Sequence, residues 1–230
     1  IVFEKADVQR AIAGTLRSAF ANCGQVCLCS ERVYVHRAIF DEFVDKLRQG
    51  AEKLTMGDPW QDTTTMGPLI SKTHRDKVES YFALAREEGA EVITGGGRPT
   101  QLDATHSEGF FVQPTIWTGL SESARCVREE IFGPVLSIMP RETLDDAIAV
   151  TQRSPYGNMA VMFTSSGYAA NKFRTEAGAG MIGINVGVPA PMAVFPFSGW
   201  KDSFFGSLHA NGEDAVRFFT ECRVLVSRWF

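Results

Sequence analysis

The chain has 230 residues, which is long enough for one large domain with a substantial buried core. Hydrophobic residues make up 44% of the sequence and charged residues 22%, which is typical of a globular protein. A formal net charge of −4 gives no electrostatic basis for binding nucleic acid or an anionic membrane. No apolar run approaches the ~18 residues of a membrane span. We therefore predict neither a nucleic acid nor a membrane as partner.

Cysteine and histidine spacing bears on compartment and metal binding. The five cysteines are Cys23, Cys27, Cys29, Cys126 and Cys222. So few cysteines in a chain of this size predict no disulfide framework and favour a reducing cytoplasm. The spacing C-x3-C-x-C is not a zinc pattern, and none of the four histidines lies at ligand spacing from it. We therefore predict no metal site.

Helices and strands alternate along the first half of the sequence. Asp7 can cap a helix whose apolar residues share one face, and Gly24 follows the end of that helix. The next predicted helices cover about 39–47 and run from Ser71 to about Glu88. The predicted strands are 33–35, 91–94 and an extended segment over 110–116. Pro114 has no backbone N–H, which predicts an edge position for the last of these.

The second half continues this alternation. The predicted strands are 135–139, 159–163 and 181–185, and the predicted helices begin at Thr143 and Tyr168. Residues 186–196 form a Gly/Pro-rich loop, followed by a helix over about 212–220 and a strand over 223–227. Strands that alternate with helices predict an α/β fold, in which a mostly parallel sheet is covered by helices on both faces.

Cys27 is the first candidate for chemistry. It follows Gly24-Gln25-Val26 just after the first predicted helix, where a new turn begins. Backbone N–H groups at such a turn can favour a thiolate, which is the attacking form of cysteine, and can also bind an oxyanion. A single cysteine in a globular chain is more often a small buried hydrophobic residue. The spacing alone leaves both interpretations open.

A second candidate segment is Glu129-Glu130-Ile131-Phe132-Gly133-Pro134, about 100 residues later and directly before a buried type of strand. A carboxylate can accept hydrogen bonds from the two neighbouring hydroxyl groups of a ribose. An ordinary solvated pair of carboxylates is the alternative. The residues by themselves favour that alternative.

Together these two segments resemble the thiol and cofactor-ribose motifs of the NAD(P)-dependent aldehyde dehydrogenases. Gly24, Gln25 and Cys27 match the family pattern G-Q-x-C. The resemblance covers nearly the whole chain and implies a three-layer αβα catalytic domain over 1–206. It further implies a C-terminal helix and an oligomerisation strand within 207–230, and thus a homo-oligomer joined through 223–227.

The resemblance also implies roles for individual residues. Cys27 would attack an aldehyde as a thiolate, and a thioester would form after hydride transfer to the nicotinamide of NAD or NADP. Glu130 would bind the nicotinamide ribose, with Phe132 as the aromatic residue beside it. The substrate channel would be lined by Phe20, Asn185 and Phe197.

Two subfamilies share the resemblance. Residues 1 to about 134, through the segments 20–27 and 112–119, resemble 2-hydroxymuconic and 2-aminomuconic semialdehyde dehydrogenases. Residues from about 143 onward, through 155–158, 183–186 and 196–206, resemble methylmalonate-semialdehyde dehydrogenase. This mixture suggests a hybrid joined between Pro134 and Thr143. It leaves the aldehyde, NAD versus NADP and coenzyme A dependence undetermined.

The parts of the family that the chain does not match are the general-base segment E-L-G-G-K, the oxyanion asparagine and the dinucleotide-binding domain. The resemblance therefore implies a catalytic domain that is inactive as a dehydrogenase in isolation. Two alternatives remain open at this point. The chain is an inert thiol-bearing domain for folding or assembly, or it retains an esterase activity that needs no NAD.

Overall fold

The computed structural model describes residues 1–3 and 5–230. Its helices are α1 (Val8–Phe20), α2 (Phe40–Ala51), α3 (Lys72–Glu87), α4 (Arg125–Arg128), α5 (Leu144–Arg153), α6 (Gly167–Glu176) and α7 (Gly212–Phe219). Its strands are β1 (Arg32–His36), β2 (Glu91–Thr94), β3 (Thr115–Thr118), β4 (Val135–Arg141), β5 (Tyr156–Gly157), β6 (Met159–Met162), β7 (Met181–Ile184) and β8 (Trp200–Lys201).

The central sheet is mostly parallel, as predicted. Strands β1 and β3 both run parallel to β4, and β2 lies antiparallel to β3 in the order β1-β4-β3-β2. A second parallel pair is formed by β6 and β7. Val2 makes parallel bridges to both Val35 and Phe163, so the first residues lie between β1 and the end of β6. These bridges at Val2 connect the two groups of strands.

Alternate residues of the strands face opposite layers of helices. Ile116, Leu136 and Ile138 pack with residues of α1 and α2 on one face. On the other face, Trp117 and Val135 pack with residues of α3 and α5, and α6 joins α5 beside β6. This period of two is what a sheet buried on both sides requires, and the predicted three-layer fold is confirmed.

Three predicted helix starts depend on side-chain caps that the structure contains. Asp7 Oδ1 accepts from the Arg10 N–H at 3.1 Å at the start of α1. Ser71 and Thr143 cap α3 and α5 in the same way, with N–H donors three residues later at 3.2 and 3.1 Å. Each cap satisfies one of the N–H groups that a helix leaves unpaired at its first turn.

The edge position predicted from Pro114 is wrong. Strand β3 lies inside the sheet between β2 and β4. Pro114 immediately precedes the first residue of the strand, Thr115, whose N–H donates to Pro134 O at 2.8 Å. The ladder therefore begins after the proline and needs no N–H from it.

The C-terminal residues project away from the core. Helix α7 forms where the sequence predicts it, but the structure assigns no strand to 220–230 within this chain. Val224, Leu225 and Val226 are 84–90% exposed. A strand forms only when a neighbouring strand supplies its hydrogen bonds, and these residues have none here. Across the described chain, the helices are too short or too polar to traverse a lipid bilayer.

Candidate active site

The loop after α1 has an unusual backbone that brings the two sequence motifs together. Asn22, Cys23 and Gly24 are all left-handed, with φ of 49°, 58° and 70°. A Cβ atom on Gly24 would lie 2.0 Å from Gly133 O, which is far inside contact distance. Only glycine allows this approach, so the cysteine loop and the segment around Gly133 pack backbone to backbone.

Gln25 holds the loop in place from the other side. Its Oε1 accepts from the Ile70 N–H at 3.1 Å, just before α3. Its own backbone carbonyl accepts from Asn22 Nδ2 at 3.0 Å. The glutamine of the G-Q-x-C pattern is therefore a structural residue that links the loop carrying Cys27 to the segment before α3.

Cys27 lies in a tight turn at the protein surface. The Cys29 N–H donates to Val26 O at 2.8 Å and closes the turn, while Asn158 Nδ2 donates to Cys27 O at 2.6 Å. Among the residues that the structure describes, no acceptor binds the N–H of Cys27 or of Leu28. Of these two residues, Cys27 lines the cavity described below, whereas Leu28 is buried.

The cysteines differ strongly in exposure. Burial raises the pKa of Cys23 and of Cys29 to about 11 and that of Cys126 to about 12. These three thiols therefore stay protonated at neutral pH. Cys27 and Cys222 are exposed, and of these two only Cys27 borders the cavity described next.

A cavity of about 170 Å³ brings three predicted site residues together. Cys27, Glu130 and Phe132 all line it, and Glu130 is exposed. Met159 and Ala160 at the start of β6 also line the cavity, as do Ser30 and Glu31 just before β1. Its size suits a small molecule or one end of a larger one.

The segment that carries Glu130 is held mainly by its backbone. Lys77 Nζ donates to Glu130 O at 3.0 Å, and His74 Nε2 donates to Phe132 O at 2.7 Å. Glu31 accepts from the N–H groups of Ile131 and Phe132 at 3.2 and 2.6 Å. None of these contacts involves the Glu130 side chain, which is exposed.

Glu129, by contrast, is fully engaged by its neighbours. Its carboxylate accepts from Arg125 Nε at 2.7 Å and from the Tyr81 hydroxyl at 2.8 Å. Hydrogen bonding from Arg125, and then from Tyr81, lowers the pKa of this carboxyl. Glu129 thus stabilises the link between α3 and α4, and Glu130 is the carboxylate of the pair that faces the cavity.

The structure does not bring Phe20, Asn185 or Phe197 into this cavity. Phe20 is 3% exposed and packs in the core beneath the sheet. The Asn185 amide makes two hydrogen bonds of 2.9 Å to the backbone of Thr164. Phe197 pairs with Ala210 through its backbone. Their roles beside a substrate channel stay predictions.

Two residues at the site were not predicted from the sequence. Asn158 binds the carbonyl of Cys27, and Glu31 binds the backbone beside Glu130. Asn158 lies in a segment that carries the family resemblance, so a signal was present. Glu31 gave none, because a single glutamate before a strand is an ordinary surface pattern.

Comparison with known proteins identifies the family of this chain. A model described as the aldehyde dehydrogenase family matches residues 1–225. Malonate-semialdehyde dehydrogenase 2 of Geobacillus kaustophilus is 41% identical over 229 residues, covering 100% of this chain and 47% of that protein. Malonate-semialdehyde dehydrogenase 1 of the same organism is 43% identical over 230 residues, covering 100% and 46%.

Solved structures lead to the same family. Methylmalonate-semialdehyde dehydrogenase from Oceanimonas doudoroffii matches with a TM-score of 0.95 at 36% identity, covering 99% of this chain and 46% of that one. Betaine aldehyde dehydrogenase from Staphylococcus aureus, solved with NAD+, matches with a TM-score of 0.90 at 32% identity, covering 95% and 42%. The chain spans a little under half the length of these relatives. Since the family model extends over nearly all of its residues, this chain belongs to the aldehyde dehydrogenase family.

Proposed function

We propose that this chain is the catalytic domain of an NAD(P)-dependent aldehyde dehydrogenase with Cys27 as its nucleophile. The observation that carries the proposal is the arrangement around one cavity. An exposed thiol, an exposed carboxylate at Glu130 and the ring of Phe132 border the same space. That arrangement suits a reacting aldehyde on one side and a cofactor ribose on the other.

Cys27 would act first as a thiolate. Its sulfur attacks the carbonyl carbon of the aldehyde, a C–S bond forms, and the C=O electron pair moves onto oxygen. The N–H of Cys27, a residue that lines the cavity, would stabilise the resulting oxyanion. Loss of hydride leaves a thioester on Cys27, and attack by water releases the acid and restores the thiol.

NAD or NADP, when bound, supplies the acceptor for that hydride. Glu130 fits a ribose because a carboxylate can accept hydrogen bonds from two neighbouring hydroxyl groups. Phe132 offers an apolar ring beside it. The relative solved with NAD+ supports a nicotinamide cofactor, and both forms of it remain compatible with Glu130.

The substrate class is a semialdehyde, on the strength of the relatives' names. Malonate- and methylmalonate-semialdehyde dehydrogenases are among the similar proteins. Arg32, which lines the cavity, already donates to Val127 O at 2.8 Å. A substrate carboxylate would therefore compete with that carbonyl for the guanidinium group.

The test of the nucleophile is selective alkylation near neutral pH. In a Cys222→Ser background, iodoacetamide should modify Cys27 much faster than Cys23, Cys29 and Cys126, because desolvation raises the pKa of those three thiols and keeps them protonated. Peptide mass spectrometry identifies the labelled residue. Equal labelling of all four, or none at Cys27, would contradict the proposal and favour an inert thiol-bearing domain.

An esterase activity is the second candidate function, since an exposed thiol can be acylated by an activated ester without NAD. We expect slow hydrolysis of p-nitrophenyl acetate by the wild-type chain and none above background for Cys27→Ala. The Cys222→Ser variant is the matched control and should keep the wild-type rate. Hydrolysis that survives Cys27→Ala would place the activity elsewhere in the molecule.

A further inference from the structure

The Glu31 carboxylate lies directly behind the segment that carries Glu130. Its Oε2 accepts from the Ile131 N–H at 3.2 Å and its Oε1 from the Phe132 N–H at 2.6 Å. The backbone carbonyl of Glu31 accepts from the Ser137 N–H at 2.9 Å, which fixes Glu31 at the start of β1 against β4. Glu31 also lines the cavity shared by Cys27 and Glu130.

The backbone at Phe132 needs such support. Its φ of 61° is in the left-handed region, which is unfavourable for an aromatic residue. A conformation of this kind persists when surrounding contacts hold it. Glu31 binds consecutive N–H groups at this bend, while His74 binds the Phe132 carbonyl and Lys77 the Glu130 carbonyl.

We propose that Glu31 is a positioning residue of the cofactor site. In its ionised form it accepts both N–H groups, fixes the bend at Phe132 and so directs Glu130 and the Phe132 ring toward the cavity. This inference rests on the proposed function, because it assigns Glu130 to the cofactor ribose. Glu31 itself touches neither cofactor nor substrate in this scheme.

The electrostatics of the site support a role beyond stability. Burial is the largest influence on the pKa of Glu31 and raises it, while the N–H donors and Arg32 lower it and Glu130 raises it further. Cys29, His74 and Lys77 are further titratable groups beside this segment, and Cys27 and Tyr34 line the same cavity. The pKa of Glu31 is higher in the folded than in the unfolded chain. Protonated Glu31 therefore stabilises the fold fully at pH values below its pKa in the unfolded chain, and this stabilisation is lost as the pH rises through its pKa in the folded chain. Ionised Glu31 therefore costs stability, which is typical of a residue kept for function.

The experiment follows the N–H signals of Ile131 and Phe132 by NMR in the 15N-labelled chain. A protonated carboxyl presents an O–H group to one of these donors, so both signals should titrate together in the wild type, with a pKa above that of an ordinary glutamate. In Glu31→Gln the titration should disappear, and hydrogen exchange at both positions should become about tenfold faster, as the loss of one hydrogen bond implies. Glu129→Gln is the matched control and should keep both wild-type properties.

Each outcome of this experiment supports or overturns the proposed role of Glu31. Absence of a shared titration in the wild type, or unchanged exchange in Glu31→Gln, overturns the proposal. Faster exchange throughout β4 as well would show a general loss of stability and would also overturn it. If Glu31→Gln does not fold, the wild-type titration still decides. Failure of Cys27 alkylation with the titration intact would remove the proposed function and leave Glu31 as the support of the Phe132 bend.

Discussion

At the scale of single residues, Gly24 decides whether the two motifs can meet. We expect Gly24→Ala to lower the free energy of unfolding by about 1–3 kcal/mol, because the new Cβ meets Gly133 O and the left-handed backbone disfavours it. Alkylation of Cys27 should change as well, since the loop must shift. Urea denaturation and labelling kinetics measure the two effects.

Gly167→Ala is the matched control for that substitution. Gly167 is the first residue of α6, and a Cβ there meets nothing within 4 Å. Alanine should therefore leave stability unchanged or raise it by up to about 1 kcal/mol. Equal effects of the two substitutions would show that contact with Gly133 does not matter.

The sequence predicts some site residues because they belong to motifs that resemble those of a known family, although their spacing alone left other interpretations open. Cys27 and Glu130 belong to short motifs, and the structure places both at one cavity. Glu31 could not be predicted, since its role depends on N–H groups about 100 residues away that only the fold brings near. Aromatic residues such as Phe20 occur so often in cores that a motif match alone cannot distinguish the two environments.

At the scale of secondary structure elements, the side chain of Lys201 caps the C-terminal end of helix α5. Its Nζ donates to the carbonyls of Thr151, Gln152 and Ser154 at 3.0, 2.9 and 2.9 Å. These are carbonyl groups at the end of the helix and just beyond it, where a cation is favourable. We expect Lys201→Met to lower the free energy of unfolding by about 1 kcal/mol, measured by urea denaturation.

Lys172→Met is the matched control for the α5 terminus. Lys172 makes ion pairs with Asp145 and Glu176 at 3.2 and 2.9 Å rather than hydrogen bonds to a helix end. Such surface pairs contribute little, so the loss should stay within about 0.5 kcal/mol. A larger cost for Lys172→Met than for Lys201→Met would contradict the assigned role of Lys201.

Helix starts and the longer strands were predicted well, whereas a very short strand pair and the order of strands in the sheet were not. Helices α1, α3 and α5 begin at residues whose side chains cap them, a signal contained within four residues. The short pair of β5 with β8 was missed, because Tyr156 finds its partner only at Lys201. The place of β3 in the sheet was misjudged for the same reason, since strand order depends on distant contacts.

At the scale of the whole molecule, we propose self-association through the C-terminal residues. Val224, Leu225, Val226, Trp229 and Phe230 are all more than 80% exposed. Apolar residues in an unpaired extended segment favour pairing with another copy of the chain. We expect the chain to form oligomers in sedimentation velocity experiments and a version ending at Thr220 to remain monomeric.

Trp60→Ser provides the control for that truncation. Trp60 is 92% exposed but lies in the loop between α2 and α3, far along the chain from the C-terminal segment. Its replacement should leave the oligomeric state unchanged. A monomeric full-length chain at high concentration, or oligomers that survive the truncation, would contradict the proposal.

The suggested hybrid origin has a structural counterpart in β4. A join between Pro134 and Thr143 would coincide with this strand, which pairs with β1 on one side and β3 on the other. Both neighbours come from the first part of the sequence, whereas α5 follows the join. The hybrid stays a prediction, and relatives with malonate-semialdehyde names align on both sides of the join.

The bridging position of Val2 has a consequence for the order in which the molecule assembles. The Val2 N–H donates to Tyr34 O and Val2 O accepts from the His36 N–H, while Ile1 O accepts from the Phe163 N–H. During synthesis the second neighbour of residues 1–2 therefore becomes available only after about 160 further residues have been added. Such long-range closure is slow, so these residues join the sheet late.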